Sequence, residues 1–157
     1  MFARIVTTAV CVLVLTACSE DDASSAASSS AANIANGYQF LEQGQFRAAL
    51  IEGRNAIKAA PSDPKGYVLL ADISNTLGQF RQALGALEPH AENSEDPDLL
   101  FTLADAYLGS RKFRSAAQLL ERRTQLLERS DGARFHNLSA EIDQNLRDLP
   151  AARTHFE

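Results

Sequence analysis

The sequence predicts an all-α protein, a solenoid of helix–turn–helix hairpins with about three and a half repeats. The first observation is a recurring heptapeptide: residues 44–50 read Gly-Gln-Phe-Arg-Ala-Ala-Leu, and residues 78–84 read Gly-Gln-Phe-Arg-Gln-Ala-Leu. A third copy begins at Arg111 and a degenerate fourth at Arg147. The second observation is a run of apolar residues at helical spacing on both sides of each copy. The copies begin 33–36 residues apart. A period of this length is typical of stacked hairpins that bury one continuous core.

Each copy of the heptapeptide marks the turn between two predicted helices. The first helices precede the turns, at 34–43, 66–77, 98–109 and 134–146, and the second helices follow them, at 47–60, 81–87, 114–128 and from about Leu149. We expect the aromatic residue of the turn to fill the crook of the hairpin, and the alanine three residues later to let the two helices approach closely. These residues are Phe46, Phe80 and Phe113, followed by Ala49, Ala83, Ala116 and, in the fourth copy, Ala152.

These repeats resemble the tetratricopeptide repeat (TPR), whose period is 34 residues. The resemblance rests on the registered glycine, aromatic and alanine positions, which are most complete in the first three copies. It implies a TPR domain over 32–157, with repeats at about 31–63, 64–96, 97–132 and an incomplete 133–157. Because Glu157 falls midway along the last predicted helix, we expect a longer repeat array or completion by a partner.

The first seventeen residues predict a secretory signal peptide. One positive charge, Arg4, precedes an apolar run that is too short to span a membrane, and small residues stand before Cys18. Leu15-Thr16-Ala17-Cys18 resembles the bacterial lipobox, which implies that Cys18 becomes the lipidated N-terminus. Ser19 then favours an outer-membrane lipoprotein facing the periplasm over one kept at the inner membrane. An ordinary signal peptide with a chance cysteine is the alternative.

Residues 18–31, rich in Ser and Ala, predict a flexible tether.

Composition and motifs exclude several classes of function. The chain has a formal net charge of −5, whereas a nucleic-acid binder would show a basic face. The three histidines, His90, His136 and His155, lie in different repeats without metal-ligand spacing. Phosphate-binding loops and nucleophile motifs are likewise missing from the sequence. We therefore expect no enzyme activity, no cofactor and no bound metal.

In the TPR family the first helices line a concave groove, which implies a set of partner-binding residues. We expect an apolar strip beside a row of carboxylates there, suited to a basic or polar protein segment. Ordinary solvent-facing acids are the alternative interpretation of the same positions. The groove residues are Ile34, Tyr38, Val68, Asp72, Asn75, Phe101, Asp105, Glu141 and Gln144.

Together these features predict a lipid-anchored scaffold that binds protein partners in a cell-envelope assembly. Residues 41–52, close behind the lipobox, resemble the TPR lipoproteins of exosortase-linked exopolysaccharide systems, which implies a role in polysaccharide export. A lipoprotein of pilus or outer-membrane-protein assembly is one alternative. An accessory domain of a larger envelope enzyme is another.

Overall fold

A computed structural model describes the backbone of residues 20–154 and the side chains of residues 24–147, and within them every regular element is a helix. No helix in this part of the chain combines the length and apolar character that crossing a membrane requires. The seven helices are α1 Glu20–Glu42, α2 Phe46–Ala59, α3 Lys65–Thr76, α4 Phe80–Ala91, α5 Pro97–Gly109, α6 Phe113–Arg122 and α7 Thr124–Thr154.

The helices form two layers, as a hairpin solenoid requires. The first helices α1, α3, α5 and α7 pack against one another in chain order. Each of the second helices α2, α4 and α6 packs between the first helix before it and the one after it. The core lies between the layers in two clusters, a small one around Leu69 and Ile73 beside α1 and a larger one that extends from Val68 to Phe135 and Ile142 on α7. The all-α repeat prediction is confirmed.

The three hairpins turn in the same way. Gly44 and Gly78 adopt φ of 70°, and Arg111 adopts φ of 61° at the equivalent place. The amide that follows each of them donates to a carbonyl five residues earlier, at 2.7–2.8 Å, for example from Gln45 to Phe40. This is the Schellman bond that closes a helix through a left-handed residue. Glycine takes that conformation at no steric cost, whereas Arg111 adopts it with a side chain in place.

Small residues set the distance between the helices. The alanines at the predicted close-approach positions, Ala49, Ala83 and Ala116, are completely buried. At Gly66 on α3, a Cβ atom would stand 2.9 Å from Ile57 of α2, closer than such atoms come. At Gly109, the last residue of α5, a Cβ atom would overlap the ring of Phe80. Phe80, the turn aromatic of the second hairpin, therefore packs against the C-terminal end of α5.

The N-terminal tether prediction is wrong for residues 20–31, which are the first part of α1. Alanine is the best helix former, so a Ser/Ala sequence becomes helical once a neighbouring surface supports it. That surface is α2: Ser30 is only 2 % exposed, and its Oγ donates to the carbonyl of Ala56 at 3.1 Å.

Two helix bounds near the C-terminal end also differ from the prediction. The second helix of the third repeat, expected over 114–128, divides at Arg123 into α6 and the start of α7. α7 itself breaks at Asp131, where φ is −150° and ψ is 87°. The Asp131 carboxylate accepts from the Arg134 amide at 2.9 Å, so it caps a new helix.

The fourth turn, predicted between Leu146 and Leu149, does not form, and α7 continues to Thr154. The third copy turns at Arg111 without a glycine but keeps the turn aromatic Phe113, whereas the fourth copy has neither the glycine nor the aromatic, with Arg147 and Leu149 at these places. The described chain is therefore three complete hairpins and the first helix of a fourth. The predicted last alanine, Ala152, lies beyond the described side chains, and His155 lies beyond the described backbone.

The contact between Gly109 and Phe80 predicts a stability difference between two glycine substitutions. Gly109→Ala should destabilise the protein by about 1–3 kcal/mol, because the new methyl group overpacks against the ring. Gly85→Ala, on α4 with no atom within 4 Å of its Cβ position, should stabilise by up to about 1 kcal/mol through helix propensity. Urea denaturation of both variants measures the difference. In a Phe80→Ala background the cost of Gly109→Ala should disappear, and its persistence there would contradict the proposed contact.

Candidate partner-binding groove

The stacked first helices place the predicted groove residues in a row across the layer. Tyr38 lies on α1, Asp72 and Asn75 on α3, Phe101 and Asp105 on α5, and Glu141 and Gln144 on α7. Because α1, α3, α5 and α7 are neighbours in that order, side chains at equivalent positions meet across adjacent helices. The structure joins some of them by hydrogen bonds and leaves others exposed.

The Asp72 carboxylate lies at the centre of a network that joins three first helices. The Tyr38 hydroxyl of α1 donates to Asp72 Oδ2 at 2.9 Å. The Thr102 hydroxyl of α5 donates to Asp72 Oδ1 at 3.0 Å. Asn75, one turn along α3, donates from Nδ2 to the carbonyl of Thr102 at 3.1 Å. Each carboxylate oxygen therefore has a donor from a different neighbouring helix, and the polar row is fixed in position.

Burial shifts the pKa values of two groups in this network. Burial raises the pKa of Asp72, while the hydrogen bonds from Tyr38 and Thr102 and the charge of Arg134 oppose that rise. Burial and then the Asp72 carboxylate raise the pKa of the Tyr38 phenol, which stays protonated and donates. Asp98 and Asp96 add to that rise, so the field around Tyr38 is negative.

A second interaction ties α7 to α5. Arg134 Nη2 lies 2.7 Å from Asp105 Oδ2, and both side chains are a little more than one third exposed. The same guanidinium lies over the Phe101 ring, 4.7 Å from its centroid, within the range of a cation–π interaction. Arg134 therefore neutralises Asp105 and covers an aromatic ring at once.

The prediction of an open apolar strip is wrong at two of its three positions. Val68 is 3 % exposed and Phe101 is 2 % exposed, so both belong to the core beneath the groove. Ile34 is partly buried. Val68 and Phe101 lie on first helices, but their side chains are covered by adjacent helices and, at Phe101, by the guanidinium of Arg134. Almost no surface of either side chain is left for a partner to contact.

The predicted row of carboxylates, at Asp72, Asp105 and Glu141, is only partly open to a partner. Asp72 and Asp105 are bound by donors from within the chain, whereas Glu141 is exposed. Gln144, one turn further along α7, is exposed too. Asn75 carries an unused acceptor: its Oδ1 is buried and has no hydrogen-bond partner among the described residues. The surface open to a partner is thus polar, with Glu141 exposed and the carboxylates of Asp72 and Asp105 both bound within the chain.

Two residues of the site were missed from the sequence, Thr102 and Arg134. Arg134 lies at the second position of its repeat, which the TPR pattern also directs toward the groove, so that signal was present. Thr102 lies between groove positions, and only the close approach of α3 and α5 brings its hydroxyl to Asp72. In residues 24–147, no group of three His, Cys, Asp or Glu side chains could hold a metal ion.

A cavity of about 640 Å³ lies away from this groove, between the second helices α4 and α6. Leu103 and Tyr107 of α5 form its floor. Glu88 and Glu92 line one wall, and Arg122 and Arg123 line the other.

Paired helices stacked in this way define a helical-repeat scaffold, and comparison with known families agrees. The family model for the tetratricopeptide repeat matches residues 77–142, from the second turn into α7. The resemblance to TPR proteins is confirmed over those residues, and the described part of the chain folds as an all-α solenoid of stacked helix hairpins. A search of curated proteins gave no significant match. TPR repeats point to a scaffold for protein–protein interaction.

The raised pKa of Asp72 predicts a particular pH dependence of stability. A carboxyl group whose pKa is higher in the folded state than its ordinary 3.8 destabilises the fold when ionised, and this cost is lost as the pH falls through the raised value. Wild-type protein should therefore gain stability relative to Asp72→Asn between about pH 7 and about pH 4.5. Urea denaturation of both proteins at the two pH values measures the change. A pH-independent difference, or one that moves against the wild type, would show that the carboxylate is not buried as described.

Proposed function

We propose that this chain is a lipid-anchored TPR scaffold that holds a protein partner in the groove of its first helices. The single observation that carries the groove assignment is the Tyr38–Asp72–Thr102 network, which fixes a polar row across three adjacent helices. The TPR match supports the binding of a protein partner. The lipobox-like sequence before Cys18 supports the anchor, although Cys18 itself lies outside the described residues.

The partner we propose is a basic or polar protein segment. Around the groove, Asp72, Asp96, Asp98 and Glu141 outnumber the cations, and Arg134 is already paired with Asp105. A basic side chain entering the row could compete with Arg134 for Asp105 and also meet Glu141. Because these groups are partly exposed, each charge contact would contribute modestly, about 0.2–1 kcal/mol, so several would act together.

The assembly we propose is at the cell envelope, with the protein on the periplasmic side of the outer membrane. Exopolysaccharide export is the pathway that the sequence of residues 41–52 favours, since those residues resemble TPR lipoproteins of such systems. We propose that the chain has no catalytic role of its own and acts by holding partners together.

The anchor is tested by Cys18→Ala in cells. This change removes the sulfur that would carry the lipid, so the protein should leave the membrane fraction or accumulate as an uncleaved precursor. Fractionation and immunoblotting measure the distribution, and mass spectrometry of wild type should find more than one acyl chain, because a single chain anchors only marginally. A variant that is processed and sorted like wild type would rule out lipidation at Cys18.

The groove is tested by two substitutions of opposite sign. Glu141→Gln removes the free acid and should weaken capture of the envelope partner, by up to about fivefold for an exposed charge contact. Arg134→Gln frees Asp105 and should strengthen capture of a basic partner. Quantitative pull-down from envelope extracts compares both with Glu121→Gln on α6, a matched loss of one exposed acid outside the groove.

A partner that responds in the reverse order, weaker with Arg134→Gln and stronger with Glu141→Gln, would be acidic. A partner lost only with Glu121→Gln would bind the second-helix layer. Either result would replace the basic-segment proposal.

A further inference from the structure

Charge is divided between the two helix layers. The first-helix segments 24–45, 61–79 and 93–110 contain seven acids and one base, Lys65. The second-helix segments 46–60, 80–92 and 111–123 contain nine bases and four acids. The nine bases are Arg47, Arg54, Lys58, Arg81, Arg111, Lys112, Arg114, Arg122 and Arg123. Although the protein has a net charge of −5, its second-helix layer is therefore cationic.

The cations concentrate at α6 and its two ends, where residues 111–123 hold five bases and one acid, Glu121. One side of α6 packs into the core through the buried residues Ala116, Leu119 and Leu120. Arg114, Gln118 and Arg122, spaced four residues apart, share the exposed opposite side. The cationic side chains are therefore presented together on one outward face.

Several of these cations are free of carboxylate partners. Lys112 pairs with Glu88 at 3.8 Å, and Arg123 donates to the carbonyl of Glu92 at 2.7 Å. Within residues 24–147, no carboxylate lies within ion-pair distance of Arg111, Arg114 or Arg122. A guanidinium group can donate two parallel hydrogen bonds to a phosphate. The Nε of Arg122 already donates to the Gln118 carbonyl at 3.2 Å, so this side chain would use its two Nη groups.

We propose that this outer face of α6 docks on anionic phospholipid headgroups. A flat anionic surface can meet the exposed side chains of Arg111, Arg114 and Arg122, of which only Arg122 also lines the cavity between α4 and α6. An acidic protein segment seated in that cavity would instead face Glu88 and Glu92 on the opposite wall. Because the apolar side of α6 is buried in the core, the contact is electrostatic and peripheral, without insertion into the hydrocarbon.

A lipid-binding surface on α6 goes beyond the proposed function, because it would also fix the orientation of the protein relative to the bilayer. It leaves the first-helix groove facing away from the bilayer. It is tested without any acyl chain, so its failure and the failure of lipidation at Cys18 are separate results.

The test uses residues 18–157 with Cys18→Ser, which carries neither the predicted signal peptide nor a lipid. Its binding to vesicles of phosphatidylglycerol mixed with phosphatidylcholine is measured by sedimentation, with vesicles of phosphatidylcholine alone as the comparison. We expect binding only to the anionic vesicles and release as salt rises from about 0.1 M to about 1 M, because the Debye length falls from about 10 Å to about 3 Å. Arg114→Gln with Arg122→Gln should weaken binding roughly 25-fold, since each cation near such a surface contributes roughly fivefold.

The matched control is Lys65→Gln with Arg147→Gln, which removes two exposed cations outside the α6 face. It should bind within about twofold of the starting protein, and circular dichroism should show that both double variants keep their helix content. Equal losses in the two double variants would overturn the α6 assignment, as would absence of binding to anionic vesicles. Binding to polyglutamate but not to vesicles would assign the face to an acidic protein segment and also overturn the proposal.

Discussion

Close approach of neighbouring helices is the constraint on which the rest of this structure depends. Alanine at 49, 83 and 116 and glycine at 66 and 109 remove side-chain volume where helices meet. Larger residues at these positions would push the two layers apart and strain the core. Within the first-helix layer, a Cβ atom at Gly37 of α1 would overlap the Leu69 side chain of α3, so these two helices also approach closely. Hydroxyls of α1 and α5 both reach the carboxylate of Asp72 on α3, and a wider spacing of the first helices would leave this partly buried group without its donors, which costs more than a hydrogen bond contributes when formed.

The same stacking separates two surfaces that the chain can use for different purposes. The first-helix layer is acidic but largely satisfied from within, through Tyr38, Thr102 and Arg134. A partner there would contact a preorganised polar row and would not need to order it, which lowers the entropic cost of binding. The second-helix layer is cationic, and within residues 24–147 no carboxylate lies within ion-pair distance of Arg111, Arg114 or Arg122. A scaffold with opposite charges on its two layers can meet two unlike partners at once.

The fold could be predicted from the sequence because its signals are local and repeated. The period, the turn aromatics and the close-packed alanines such as Ala83 all follow from spacing alone. Residues 20–31 were misassigned because Ser and Ala are common both in linkers and in helices, and only the packing of Ser30 against α2 decides between them. The alignment of the predicted groove residues across adjacent first helices follows from the repeat, whereas the contacts among their side chains do not. Arg134 and Asp105 are 29 residues apart in sequence, and their pairing depends on how α7 sits against α5.

We propose that the first-helix layer, and not the second-helix layer, receives the protein partner. Photocrosslinking in cells tests it directly, with a benzophenone amino acid placed at Gln144 on α7 or at Gln118 on α6, both of which are exposed. We expect a protein adduct from position 144 and none from position 118, at equal expression of the two variants. A protein adduct from position 118 with none from position 144 would contradict the account.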